Sequence, residues 1–317
     1  MKEFSLRRIY RFTKMMSYLL MFLTMIACRV CSANESLQVI RTIAPQSEND
    51  TSHQYFINII QLAIDKSTEK YGEAQLVLSP YPMTQARWFR LLEDSTYLDI
   101  IWSGANKERQ DSYLEIPIDL LGGILGVRAL IIRKEDRLKF KAIKSLQKLK
   151  TLTACQAEHW PDASILKDAG LTLLTVNKFD TNFIMLTKGQ CDYFPRGIHE
   201  GYSEIERYHV LLGDNLTLFD DFLIVYPFNM LFFVDKGNPL LAKRIEHGLK
   251  MAIGDGSFVK MLQQDPITSH LFPLERWAET QIFQLDNQVQ HTRSNPEYTW
   301  LLRQFPFYER LDFNINQ

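Results

Sequence analysis

The residues able to do chemistry are scattered rather than clustered. Seven histidines occur along the chain without the short intervals a metal centre needs. "HEGYS" at His199 is not the H-E-x-x-H of a zinc peptidase, no G-x-S-x-G turn occurs, and "GDGSFV" at Gly254 lacks the last glycine of a dinucleotide loop. No cofactor and no metal are therefore expected. What does stand out is cationic. In "GQCDYFPRG", Gly189 to Gly197, an apolar run stops at Pro195 and presents Arg196. A strand that ends this way ends at a surface or at a cleft, and the surrounding elements decide which.

From Leu37 the chain reads strand, helix, strand, helix, strand. "LQVIRTIA" is a β-branched run; the stretch from Thr51 places Tyr55, Ile59, Leu62 and Ala63 on one helical face and closes at Gly72. "AQLVLSPY", "TQARWFRLLED" and "LDIIWSG" follow as strand, helix and strand. A second series begins after "LLGGILGVRALIIRKED": "TLTACQ", "LTLLTV" and "CDYFPRG" are strands, separated by the helices "PDASILKDAG" and "DTNFIMLTKG". Such alternation implies parallel sheets with helices on their faces. Beyond "DFLIVYPFNMLFFVDKGNP" a helix with Leu241, Ile245, Leu249 and Ala252 on one stripe has no sheet of its own to cover. Returning it to the first series makes the chain cross twice, near Gly122–Val127 and near Tyr226–Phe228, with a hinge and a cleft between lobes. The expected divisions are 34–124 for lobe one, 125–227 for lobe two, 228–281 for the return, and a tail from Ile282 packed on lobe one.

At 317 residues and 46% apolar content the chain can fill two cores. Its start reads as a cleavable signal peptide: Arg7, Arg8, Arg11 and Lys14 precede the apolar run Met15–Ala27, and "CSA" ends at Ala33. A retained anchor and lipid attachment at Cys28 are the alternatives. Removing residues 1–33 leaves 30 Lys and Arg against 36 Asp and Glu, an acidic balance that disfavours a nucleic-acid partner. The leader takes two of the four cysteines, leaving Cys155 and Cys191. A pair in an oxidising compartment suggests a disulfide. However, Cys155 reads as the end of one parallel strand and Cys191 as the start of another, beyond bridging distance, so buried free thiols are expected.

The order of pieces resembles the bacterial extracellular solute-binding proteins of family 3. The matching text, between Leu37 and Gln264, is "LDIIWSGANKERQDS", "IKSLQKLKTLTACQ", "LTKGQCDYF" and "PFNMLFFVDKGNPLLAKRIEHGLKMAIGDGSFVKML". The resemblance implies an α/β chain with the two-lobed type II periplasmic-binding fold, two hinge crossings and a cleft. It also implies a monomeric periplasmic protein that binds a small molecule and serves an ABC permease or a membrane sensor, and not an enzyme.

The same resemblance implies a site. Arg109 occupies the place of the arginine that clamps a ligand carboxylate, a geometry lysine cannot supply, with Ser103 in the preceding Ser-Gly turn. The loop between them is shorter than usual, and Asn106 is expected to substitute for a missing donor. The family's ammonium-binding acid belongs at the strand end that here reads Pro195, Arg196, Gly197; Asp162 is the nearest compensating acid, or else a helix cap. Arg196 at a strand's carboxyl end, facing Arg109 and Arg87, favours an anionic ligand such as a dicarboxylate or an acidic amino acid. Its alternative is a salt bridge to Glu200 or Asp162. Trp160 and Trp102 are expected to line the cleft or stack on the ligand, while Phe183, Phe222 and Phe232 are assigned to the core. A few relatives are dehydratases of cyclic acids; that reading would draw on Glu158, His159 and Asp162.

Overall fold

The computed structural model describes residues 37–93, 97–287 and 296–312, together with Met16. The cut after Ala33 and the alternative at Cys28 lie outside the described residues. In chain order the first lobe comprises β1 (Gln38–Thr42), α1 (His53–Tyr71), β2 (Ala74–Leu78), α2 (Gln85–Leu92), β3 (Ile101–Gly104), α3 (Lys107–Ser112) and β4 (Leu114–Ile116). The second comprises β5 (Val127–Arg133), β6 (Thr153–Ala157), α4 (Asp162–Asp168), β7 (Thr172–Val176), α5 (Phe179–Thr187), β8 (Tyr193–Gly197), α6 (Gly201–Leu212) and β9 (Leu216–Val225). The chain returns through β10 (Met230–Val234), α7 (Pro239–Gly254) and α8 (Ser257–Gln264), then forms β11 (Gln281–Gln284).

In the first lobe β10 lies between β3 and β4, antiparallel to both, with Leu231 opposite Ser103 and Phe232 opposite both Trp102 and Ile116. The returning strand thus fixes the Ser103–Gly104 turn from behind. Helix α1 buries Tyr55, Phe56, Ile59, Ile60, Ala63 and Ile64 along one stripe, the period of a helix against a core. Helix α7 packs on it so closely that a Cβ on Gly248 would stand 1.9 Å from the Ala63 carbonyl oxygen. Only glycine permits that approach.

The second sheet has the order β11-β9-β5-β8-β6-β7. Strands β6, β7 and β8 are parallel, as the alternation of elements implies, but β5 and β9 run antiparallel to one another, β5 being antiparallel to β8 as well and β9 parallel to β11. They are the strands by which the chain enters and leaves the lobe, and Val127 pairs with Val225. Each crossing lies beside the other: Tyr226 donates its N–H to the Gly126 oxygen at 3.1 Å, and a Cβ on Gly126 would meet the Tyr226 oxygen at 1.9 Å.

Two expectations are corrected here. Cys155 and Cys191 form a disulfide with their Cα atoms 5.6 Å apart. Cys155 is the middle residue of β6 rather than its end, Cys191 just precedes β8, and the two strands are direct neighbours. The segment read as a first-lobe tail from Ile282 is divided: β11 joins the second sheet beside β9, with Phe283 against Phe222 at 4.6 Å. Only later does the chain reach the first lobe, where Leu301 and Leu302 donate to the Gly122 oxygen and the Trp300 indole to the Asp119 oxygen. Among the described residues no helix is long and apolar enough to cross a membrane.

Candidate ligand-binding cleft

The first-lobe wall of the cleft is built on the turn that ends β3. Asn106 caps α3, its side-chain oxygen accepting the Arg109 N–H at 2.9 Å, which points the arginine back over the turn. The Arg109 guanidinium donates to Ser103 Oγ, to the Gly104 oxygen at 2.8 Å and to Gln85 Oε1 at 3.2 Å. It lies 4.5 Å from the Phe89 ring centroid. Burial lowers its pKa to about 10, while the charges of Glu108 and of Asp162 on the other lobe act to raise it.

The second-lobe wall is a buried charge network. Arg128, at the start of β5, donates to Asp162 Oδ2 at 2.8 Å, to Glu200 Oε1 at 3.3 Å and to the Tyr226 hydroxyl at 2.9 Å. Tyr226 in turn donates to Asp162 Oδ2 at 3.0 Å. Arg196, at the end of β8, holds both oxygens of Glu204 at 2.8 and 2.6 Å and meets Glu200 Oε2 at 2.9 Å. Its guanidinium lies 4.6 Å from the Trp160 ring centroid. Burial alone would lower the Arg196 pKa, but the Glu200 and Glu204 charges outweigh it. Burial pushes the Glu204 carboxyl up to about 7 against the pull of Arg196. Glu200 would also rise by burial, yet the charges of Arg196, His199 and Arg128 hold it below its usual value.

The walls meet. Arg109 donates across the cleft to the His159 oxygen at 3.2 Å, Ser47 to Asp180 at 3.0 Å, and Arg207 to Asn49 and to the Glu48 oxygen at 3.0 and 3.1 Å. Between them lies a cavity of about 60 Å³ whose lining includes Gln85, Trp102, Arg128, Trp160, Asp162 and Arg196. Two larger openings flank it. One of about 490 Å³ is lined by residues including Gln85, Arg87, His159, Trp160 and Lys178; the other, of about 680 Å³, by residues including Asn106, Arg109, Glu158 and His159.

No protein-family profile matches the chain, and no curated protein is similar to it in sequence. Solved structures do match. A Streptococcus pneumoniae amino acid ABC transporter substrate-binding protein bound to L-arginine aligns with a TM-score of 0.55 at 13% identity, over 73% of this chain and 94% of that one. The GluR0 ligand-binding core from Nostoc punctiforme, in complex with L-glutamate, gives 0.51 at 11% identity over 73% and 99%. The ancestral amino acid-binding protein AncCDT-1, a precursor of cyclohexadienyl dehydratase, gives 0.53 at 13% over 72% and 95%. The chain has the two-lobed type II periplasmic-binding-protein fold.

Within this type II fold, the residues singled out from sequence take different places. Trp102, Trp160, Asp162 and Arg196 share the inner cavity; Arg109 and Asn106 line one outer opening and Arg87 the other. Ser103 is fully buried behind Arg109, and Trp102 is stacked on Phe56 at 5.1 Å. Asp162 is the first residue of α4 rather than its cap, which is Pro161. Asn106 is the cap of α3, so its oxygen is already engaged. Arg196 is paired, with the anticipated Glu200 and also with Glu204. The second-lobe wall therefore carries three carboxylates against two guanidiniums, and an excess of arginines no longer argues for a purely anionic ligand. Sequence reasoning missed Gln85, Arg128, Glu204 and Tyr226.

Proposed function

We propose that the protein is a non-catalytic solute-binding protein, secreted to the periplasm, that closes its lobes around a small amino-acid-like ligand and presents it to a membrane partner, an ABC permease or a sensor. The observation carrying this is the opposed charge of the two walls. Arg109 stands on the first lobe, hydrogen-bonded to the Ser103–Gly104 turn, and Asp162 on the second. Asp162 uses Oδ2 for Arg128 and Tyr226, and among the described residues its Oδ1 has no hydrogen-bond donor. A carboxylate suits the guanidinium and an ammonium the acid, and a ligand touching both favours the closed state over the open one. A cavity of about 60 Å³ holds little more than one or two waters, so a larger ligand enters with the lobes parted. The solved neighbours support a binding role, since their names describe proteins that bind amino acids. A dehydratase would need a sheltered acid or base; Glu158 and His159 are exposed, and Asp162 is ion-paired.

The test is thermal denaturation against a panel of amino acids and dicarboxylates. A bound ligand at a hundred times its Kd should stabilise the fold by about 2.7 kcal/mol, and Arg109→Ala and Asp162→Asn should each abolish that shift relative to their own unliganded melts. A wild-type protein that ignores every amino acid, or a shift that survives Arg109→Ala, would refute the reading.

A further inference from the structure

The opening of about 490 Å³ on the Arg87 side of the cleft has the size of a small-molecule site and is lined from both lobes. Arg87, in the first turn of α2, belongs to the first lobe; Lys178, capping α5, belongs to the second. Both are exposed, and among the described residues neither has an ion-pair partner. The carboxylate in this lining, Asp180, accepts from the neutral hydroxyls of Ser47 and Tyr208 and forms no ion pair with either cation among the described residues. Closure therefore brings two cations and a single carboxylate to one opening, which is left with a net positive charge. Like charges so placed oppose closure, whereas an anion between them converts that repulsion into attraction from both sides. The opening shares Gln46, Gln85 and Trp160 with the inner cavity, so one ligand can reach from one to the other.

We infer that this opening receives a second, anionic group of the ligand. The captured solute is then an amino acid bearing a further carboxylate, its head group between Arg109 and Asp162 and its acidic end between Arg87 and Lys178. The inference rests on the solute-binding reading above but adds a separate demand: the site must tell an acid from its amide.

The experiment is titration calorimetry with two isosteric pairs, L-glutamate against L-glutamine and L-aspartate against L-asparagine, on the wild type and on Arg87→Gln, Lys178→Gln and Arg109→Ala. Both outer residues are exposed, so their replacement leaves the fold intact. In the wild type the acid of at least one pair should bind about tenfold or more tighter than its amide, since charge-assisted contacts are the stronger ones. Arg87→Gln and Lys178→Gln should each shrink that ratio toward one by weakening the acid more than its amide, and added KCl should weaken the acid selectively. Amides that bind as well as acids, or variants that weaken both alike, overturn the inference while the solute-binding reading stands. Absence of binding by all four overturns the inference and leaves the solute-binding reading to the wider panel, whereas binding indifferent to Arg109→Ala overturns both.

Discussion

Replacing Arg196 separates a structural cation from a ligand anchor. Its guanidinium satisfies both oxygens of Glu204 and one of Glu200, and all three side chains are under 10% exposed. Arg196→Met keeps much of the volume but strands the buried Glu204 carboxylate, whereas Glu200 keeps Arg128, and breaking a buried pair from one side costs about 3–5 kcal/mol. Loss of the guanidinium over Trp160 adds roughly 0.5–2 kcal/mol. For a chain of this size that is a fall in Tm of roughly 6–12 °C. The double variant Arg196→Met with Glu204→Leu should recover part of the loss, because the stranded charge leaves with its partner. The pH dependence has a definite sign. Glu204 titrates at about 7 in the folded state, above its ordinary unfolded value near 4.3. The folded state therefore holds the extra proton, and the associated stability is complete below the unfolded value and lost as pH rises through about 7. Removing Arg196 takes away the charge that lowers this carboxyl, so the defect should deepen from pH 5 to pH 8. Urea or thermal melts of the single and double variants across that range measure it. A variant that melts within about 0.5 kcal/mol of the wild type, yet loses ligand, would show that Arg196 acts on the ligand and that the carboxylate pairing contributes little.

Two further outcomes follow from the packing. Replacing both cysteines by alanine opens a loop of sequence separation 36 and should cost about 4 kcal/mol by the chain-entropy relation, read as the difference between the urea melts of the oxidised wild type and the variant. Gly122→Ala places a Cβ 2.4 Å from that of Leu301 at a backbone φ of +62°, and should destabilise by about 1–3 kcal/mol. Truncating the facing side chain, as Leu301→Ala does only at a cost of its own, leaves the Cβ clash in place, so the double variant should show no rescue.

The fold was legible because its elements repeat in the sequence with the right periods. The α1 stripe, the capping Asn238 before Pro239 and the glycine-rich first crossing each follow from local chemistry. What escaped was lateral. Strand order decided that Cys155 and Cys191 are neighbours, and nothing within "TLTACQ" or "CDYFPRG" states which strands adjoin. Strand β11 has four residues, too few for alternation to separate it from a loop. Its partner β9 was needed to define it.

The site shows the same division more sharply. Arg109 was found through the turn it follows, and its placement beside Ser103 bears on one lobe only. The second wall depends on partners brought together from β5, α4, β8, α6 and the end of β9. Two signals were nevertheless present. Arg128 is a single cation inside the apolar run "GVRALII", where burial without a partner would be prohibitive, so a carboxylate had to arrive from elsewhere. Glu200 and Glu204 stand four and eight residues after Arg196 at the head of a helix, a spacing that returns both acids to the strand end they follow. Reading Arg196 together with those acids turns an apparent anion site into a self-compensated network, and moves the unpaired cations to Arg87 and Lys178 at the outer opening. That shift is what makes an acidic end on the ligand, rather than an acidic ligand as a whole, the feature this cleft can recognise.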